Sequence, residues 1–142
     1  MTTTAAGGHR LVSRAADCLI EAWGPDRASC LGQALQGLIE EFAQVSDTPA
    51  LRALPLSAAA GAPGEMLVSL LEEVIYALEV FSVVPVRVHL CDTEDGGVSG
   101  DMEVVPLAAV HVVGPAPRAV SHKRLSMSED GGSWQCRVLI DV

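Results

Sequence analysis

The residues best suited to chemistry in this sequence are acids near its two ends. Asp17 stands at the mouth of an apolar run, after Arg14, Ala15 and Ala16. Asp141 closes another, Cys136-Arg137-Val138-Leu139-Ile140-Asp141-Val142, with only the Val142 α-carboxylate beyond it. If that run is a strand ordered to its end, Asp141 and the terminal carboxylate are close neighbours. Clustered carboxylates repel, and the strain is relieved when one takes a proton or the group holds a cation. Oxygen-only donors favour a hard ion such as Ca²⁺, Mg²⁺ or Mn²⁺. On pattern alone, solvated acids at strand ends are the simpler alternative.

Other chemistries find little support. The sequence has no phosphate loop, no Gly-x-Ser-x-Gly elbow and no His-Glu-x-x-His helix. His9, His89, His111 and His122 lack ligand spacing and lie among strand-forming residues, which suits solvent-facing or satisfied positions. Ser121 and His122 invite a nucleophile–base reading, but adjacent strand residues point to opposite faces. The four cysteines form no Cys-x-x-Cys pair, so neither a zinc ribbon nor a redox motif is indicated. Cys18, Cys30 and Cys136 fall in apolar-periodic segments, where a thiol serves as a small core filler. No catalytic residue is assigned, and the protein is not expected to be an enzyme.

The 142 residues suit a single domain with its own core, and 49% hydrophobic content excludes disorder for most of them. A formal net charge of -9 with 4% aromatic residues argues against direct nucleic-acid binding, which needs cations for phosphates or rings for bases. Acidity of this kind suits a basic protein surface or metal ions. The first eight residues read as a tail without the apolar core of a secretory signal, and no run has the length of a membrane span. A cytoplasmic protein with reduced thiols and no membrane association is expected.

Strands are predicted over 9–13 and 18–23, stopped by Gly24-Pro25. Asp26 can cap a helix whose stripe is Leu31, Ala34, Leu35, Leu38, Ile39 and Phe42. Residues 46–64 turn Ala/Pro/Ser-rich, and Leu51 to Leu56 can form only an edge strand because of Pro55. Glu65 opens a second helix with Leu67, Leu70, Leu71, Val74, Ile75 and Leu78 on its apolar face. A hairpin then joins 85–91 to 98–107 through an acidic turn, with Val86, Val88 and Leu90 on one side and Arg87, His89 and Cys91 on the other. A last hairpin joins 118–127 to 134–141, with Gly96-Gly97 and Gly131-Gly132 supplying positive φ in the two turns. Helices and strands do not alternate strictly. The predicted fold is therefore α+β, a mixed β-sheet with two packed helices, forming one domain over 9–142 after a tail at 1–8.

These segments, taken in order, resemble the archease family. The opening strand pair with Ala16, Asp17 and Ile20 is similar to that family's first segment. Leu67 to Tyr76 resembles its second helix, and the stretch from Gly132 to Asp141-Val142 its last hairpin, which stops at Asp plus one aliphatic residue. The resemblance implies a compact α+β protein that activates the GTP-dependent RNA ligase of tRNA splicing and RNA repair, promoting guanylylation of the ligase histidine and repeated turnover. It also implies a divalent metal, Ca²⁺ foremost, held by Asp17, Asp141 and Val142. Three family positions differ: Arg14 replaces a His, and in Val120-Ser121-His122-Lys123, which stands where the family has Val-Thr-Tyr-His, His122 and Lys123 replace the aromatic and the His. Residues 46–64 are also Ala/Pro-rich where the family is more polar and strand-like. The alternative is a chaperone-like protein-interaction module without metal-dependent activity, docking through an apolar edge near 51–59.

Overall fold

A computed structural model describes residues 7–14, 17–45 and 48–142, with side chains from 7–10 only in the first segment. Of the tail expected at 1–8, residues 1–6 lie outside the described residues, and Gly8 already belongs to a strand. The elements are β1 (Gly8–Arg14), β2 (Asp17–Gly24), α1 (Arg27–Phe42), β3 (Ala43–Gln44), β4 (Arg52–Ala58), α2 (Pro63–Phe81), β5 (Val83–Asp92), β6 (Val98–Pro106), β7 (His111–Val112), β8 (Ala119–Asp130) and β9 (Ser133–Asp141).

Local chemistry sets the boundaries. Gly24 ends β2 where the chain folds back tightly: a Cβ there would lie 2.8 Å from the Cys30 backbone nitrogen. The Asp26 side chain accepts the Ser29 N–H at 2.8 Å, capping α1 as its sequence position predicts. The α1 stripe from Leu31 to Phe42 is buried throughout. α2 begins two residues before Glu65, because Pro63 suits a first helical turn, where its missing N–H costs nothing. It ends at Ser82, whose left-handed φ of 53° turns the chain directly into β5.

The expected α+β class is observed. The sheet expected as mixed is divided in two, with the order β1-β2-β9-β8 in one and β4-β6-β5 in the other, plus a β3-β7 ladder. The pairings are antiparallel, since neighbours are either hairpin partners or strands returning from the far side. β4 is an edge strand, as Pro55 requires. Both helices pack between the sheets, where Cys18, Ile20, Ala22, Val138 and Ile140 of the larger sheet meet Leu35, Leu38, Leu67 and Leu71.

Three details depart from the sequence reading. The β3-β7 ladder, two residues per strand, is too short to leave a period. The alternation expected in β5 fails at its start, where Val83 to Val86 are all buried and the register shifts between Pro85 and Arg87. Gly96, Gly131 and Gly132 do adopt positive φ, but Gly97 does not. Its lack of a side chain serves close approach instead, as a Cβ would lie 2.6 Å from the Ala58 carbonyl oxygen.

Candidate functional site

β9 runs between β2 and β8, so the last residues of the sequence sit inside a sheet rather than at its margin. In the β2–β9 register Asp17 is opposite Asp141, Leu19 opposite Leu139, and Glu21 opposite Arg137. Directly opposed residues of an antiparallel pair project from the same face. The inward face carries Cys18, Ile20, Cys136, Val138 and Ile140, so the three rows stand on the outward one.

The rows differ in charge. Glu21 is compensated twice, by Arg10 Nε at 2.5 Å and Arg137 Nε at 2.9 Å. Asp17 and Asp141 make no ion pair or side-chain hydrogen bond among the described residues. In the next row along the same face Leu19 is only 2% exposed and Leu139 is half-buried. The Asp141 carbonyl oxygen accepts the Arg118 N–H at 2.8 Å, which fixes the strand at this point. Val142 is half-buried and packs against the core. The two acids predicted from sequence are thus brought together, next to Val142. No set of three or more His, Cys, Asp or Glu side chains arranged to hold a metal occurs among the described residues. A cation here would take Asp17, Asp141 and a backbone or terminal carboxylate oxygen, and this all-oxygen donor set fits a hard divalent ion. Arg14 lies in β1, with its side chain outside the described residues, and Ala15 and Ala16 are outside them too.

Several other titratable groups have structural partners. His9 bridges Gln33 at 2.9 Å and Glu40 at 2.8 Å, tying β1 to α1. His111 and His122 are exposed, and Ser121 Oγ accepts the Lys123 N–H instead of meeting His122. Cys18, Cys30 and Cys136 are buried and Cys91 is exposed, all as thiols rather than disulfides. The Cys30 and Cys136 thiols contact each other, and that contact together with burial pushes Cys136 up, keeping it protonated as a core filler.

His89 Nε2 lies 2.6 Å from Glu103, which also receives Arg87 Nε at 3.1 Å. These contacts, His89 first, hold the Glu103 carboxyl below its ordinary range. A depressed carboxylate stabilises the fold above its unfolded pKa of about 4.3, and the contribution fades as pH falls through the lower folded value. Glu103→Gln is therefore expected to lower the melting temperature at neutral pH but not at about pH 2. Equal losses at both pH values in thermal melts would contradict the pairing.

Two helices packed on antiparallel sheets, with Asp17 and Asp141 set in register across β2 and β9, define a small α+β protein. Comparisons with known proteins agree on its kin. The family model for the Archease protein family matches residues 9–142. Proteins named "Probable protein archease" from two strains of Mycobacterium tuberculosis, CDC 1551 / Oshkosh and ATCC 25618 / H37Rv, are 37% identical over 135 residues, which is 95% of this chain and 75% of theirs. The chain belongs to the archease family. The solution structure of Methanobacterium thermoautotrophicum protein 1598 superposes with a TM-score of 0.66 at 16% identity, over 95% of this chain and 99% of that one. The crystal structure of a Thermotoga maritima archease, described as a possible chaperone, gives 0.67 at 14% identity, over 92% and 94%. At such identities these two likenesses establish the fold. Among the described residues, no helix is long and apolar enough to cross a membrane.

Proposed function

We propose that this protein is a non-enzymatic activator of a GTP-dependent RNA ligase of tRNA splicing and RNA repair, acting in the cytoplasm. The observation that carries the reading is the register pairing of Asp17 with Asp141 across β2 and β9, without an ion pair to either among the described residues, in a member of the archease family. Asp17, Asp141 and the carboxylate of Val142 would hold the ion, Ca²⁺ foremost, with Mg²⁺ or Mn²⁺ as substitutes. The bound ion supplies positive charge for phosphoryl oxygens at the ligase site. The protein's own contribution is placement: β9, held on both sides, presents its end as a rigid edge, and the acidic surface docks on a basic partner rather than on RNA.

Added to the GTP-dependent RNA ligase of the same organism with GTP and Mn²⁺, the purified protein is expected to convert few turnovers into many, by speeding formation of the ligase–guanylate. An unchanged guanylylation rate at saturating protein would sink the proposal. Calorimetric titration with Ca²⁺, Mg²⁺ and Mn²⁺ is expected to give heat with wild type and none with Asp17→Ala. A second reading, a chaperone-like interaction module, draws on the exposed Tyr76, Val80 and Phe81. Suppression of aggregation of an unrelated client, undiminished by Asp141→Ala and without any ligase effect, would favour it.

A further inference from the structure

A recess that shares no lining residue with the acidic pair lies between α2 and the edge strand β4. It is a cleft of about 630 Å³ walled by Leu54, Pro55 and Met102 on the sheet side and by Tyr76, Ala77 and Phe81 on the helix side. Tyr76 and Phe81 are 57% and 52% exposed and meet edge to face, with ring centroids 5.8 Å apart. A second recess of about 330 Å³ shares Phe81 and extends the apolar surface past Leu51 and Val83. Of the large hydrophobic side chains left exposed, Leu51, Tyr76 and Phe81 all border these two recesses. Contiguous exposed apolar surface of this kind marks a binding face.

Charge says what covers it. Glu72 and Glu73 line the helix side of the cleft, and neither has a cationic partner among the described residues. The whole of α2 carries four glutamates and no Lys or Arg, and its last turn is without a basic residue. The negative end of the helix dipole therefore adds to the field at the Phe81 end of the cleft. Arg52 stands only on the far side, in the neighbouring recess. Pro55 has no N–H and sits mid-way along the open edge of β4, so continuous strand addition to that edge is discouraged. What fits is side-chain insertion.

We infer that the α2–β4 cleft is a docking site for a short segment of a partner protein that carries one or two large apolar side chains flanked by Lys or Arg. The apolar side chains enter between Tyr76/Phe81 and Leu54/Pro55, and the cations meet Glu72 and Glu73. This rests on the reading above that the protein works by docking on a protein partner, and it names what that partner must display. The cleft is a second contact, separate from the Asp17–Asp141 edge.

The test uses a fluorescein-labelled peptide, Lys-Leu-Arg-Phe-Lys, and the full chain. Anisotropy is expected to show binding that weakens as NaCl rises. It should also weaken about ten-fold or more, the equivalent of roughly 1.4 kcal/mol, in the double variant Glu72→Lys/Glu73→Lys. Tyr76→Ala should weaken it as well, and all three positions are exposed, so circular dichroism should be unchanged. The matched control Glu129→Lys/Asp130→Lys makes the same change of charge on the β8–β9 turn and should bind like wild type. No binding, equal loss in the control, or equal binding of a Glu-Leu-Glu-Phe-Glu peptide would overturn the inference. So would a concentration-dependent dimer abolished by Phe81→Glu, since the occupant would then be a second copy. Ligase turnover is assayed in parallel. Wild-type protein that binds the peptide without raising turnover sinks the ligase reading alone. Turnover without peptide binding sinks the cleft alone.

Discussion

Asp141→Asn is expected to be more stable than wild type in the absence of divalent ions and less stable in their presence. Without a cation, Asp17 and Asp141 stand directly opposite each other across β2 and β9, and neither is ion-paired among the described residues. Like charges directly opposite on a sheet are destabilising, here by about 0.2–1 kcal/mol. Removing one charge recovers that amount. A bound ion reverses the order: at 100 times Kd it stabilises the wild type by about 2.7 kcal/mol, which the variant cannot gain. At about 3–4 °C per kcal/mol for a domain of this size, wild type should rise by roughly 10 °C with saturating Ca²⁺ while the variant stays level. The two melting curves should therefore cross during a Ca²⁺ titration followed by tryptophan fluorescence. Parallel responses would remove these acids from metal binding. In the ligase assay the same variant is expected to return turnover to the level seen without the protein, and undiminished turnover would separate activation from the acidic pair.

The largest loss of stability is expected from Leu71→Ala. Leu71 is 0% exposed in α2, the helix that packs on β4, β5, β8 and α1. Truncation removes apolar surface and leaves a cavity between two sheets that are each held by their own hydrogen bonds and cannot both close inward. Such changes cost about 2–5 kcal/mol, and the upper half of that range is expected here. Leu78, half-buried on the same helix, should lose less than half as much when cut to Ala, because solvent refills its site. Urea denaturation gives both values. A Leu71→Ala cost below about 1 kcal/mol would mean that α2 is not the central packing element described.

How much of this was legible in the sequence follows from the range of each signal. Both helices declared themselves through local pattern, since Asp26 caps α1 and the six-residue stripes of α1 and α2 are buried almost throughout. The hairpins β5–β6 and β8–β9 were readable from their glycine turns. The division into two sheets was not, because nothing local tells a strand which distant strand it will join. Asp17 and Asp141 stood out as acids ending apolar runs, yet their being direct register partners is a product of topology. That Arg10 and Arg137 both turn to Glu21, with no cation paired to Asp17 or Asp141 among the described residues, is likewise visible only in three dimensions. The α2–β4 cleft was legible only as a weak apolar edge near 51–59. Glu72, Glu73 and Tyr76 look in sequence like the ordinary solvated face of an amphipathic helix.

The pairing of β2 with β9 joins residues roughly 120 positions apart. A contact of such separation closes late, because the chain must first surrender the entropy of the intervening loop. Asp17 and Asp141 consequently meet only after most of the structure has formed. On the proposed function, an ion that needs both would have nothing to grip in the folding transition state, so Ca²⁺ is expected to act on the unfolding limb of the chevron. It would leave the folding rate nearly untouched and act as a latch, slowing the departure of β9 from the sheet.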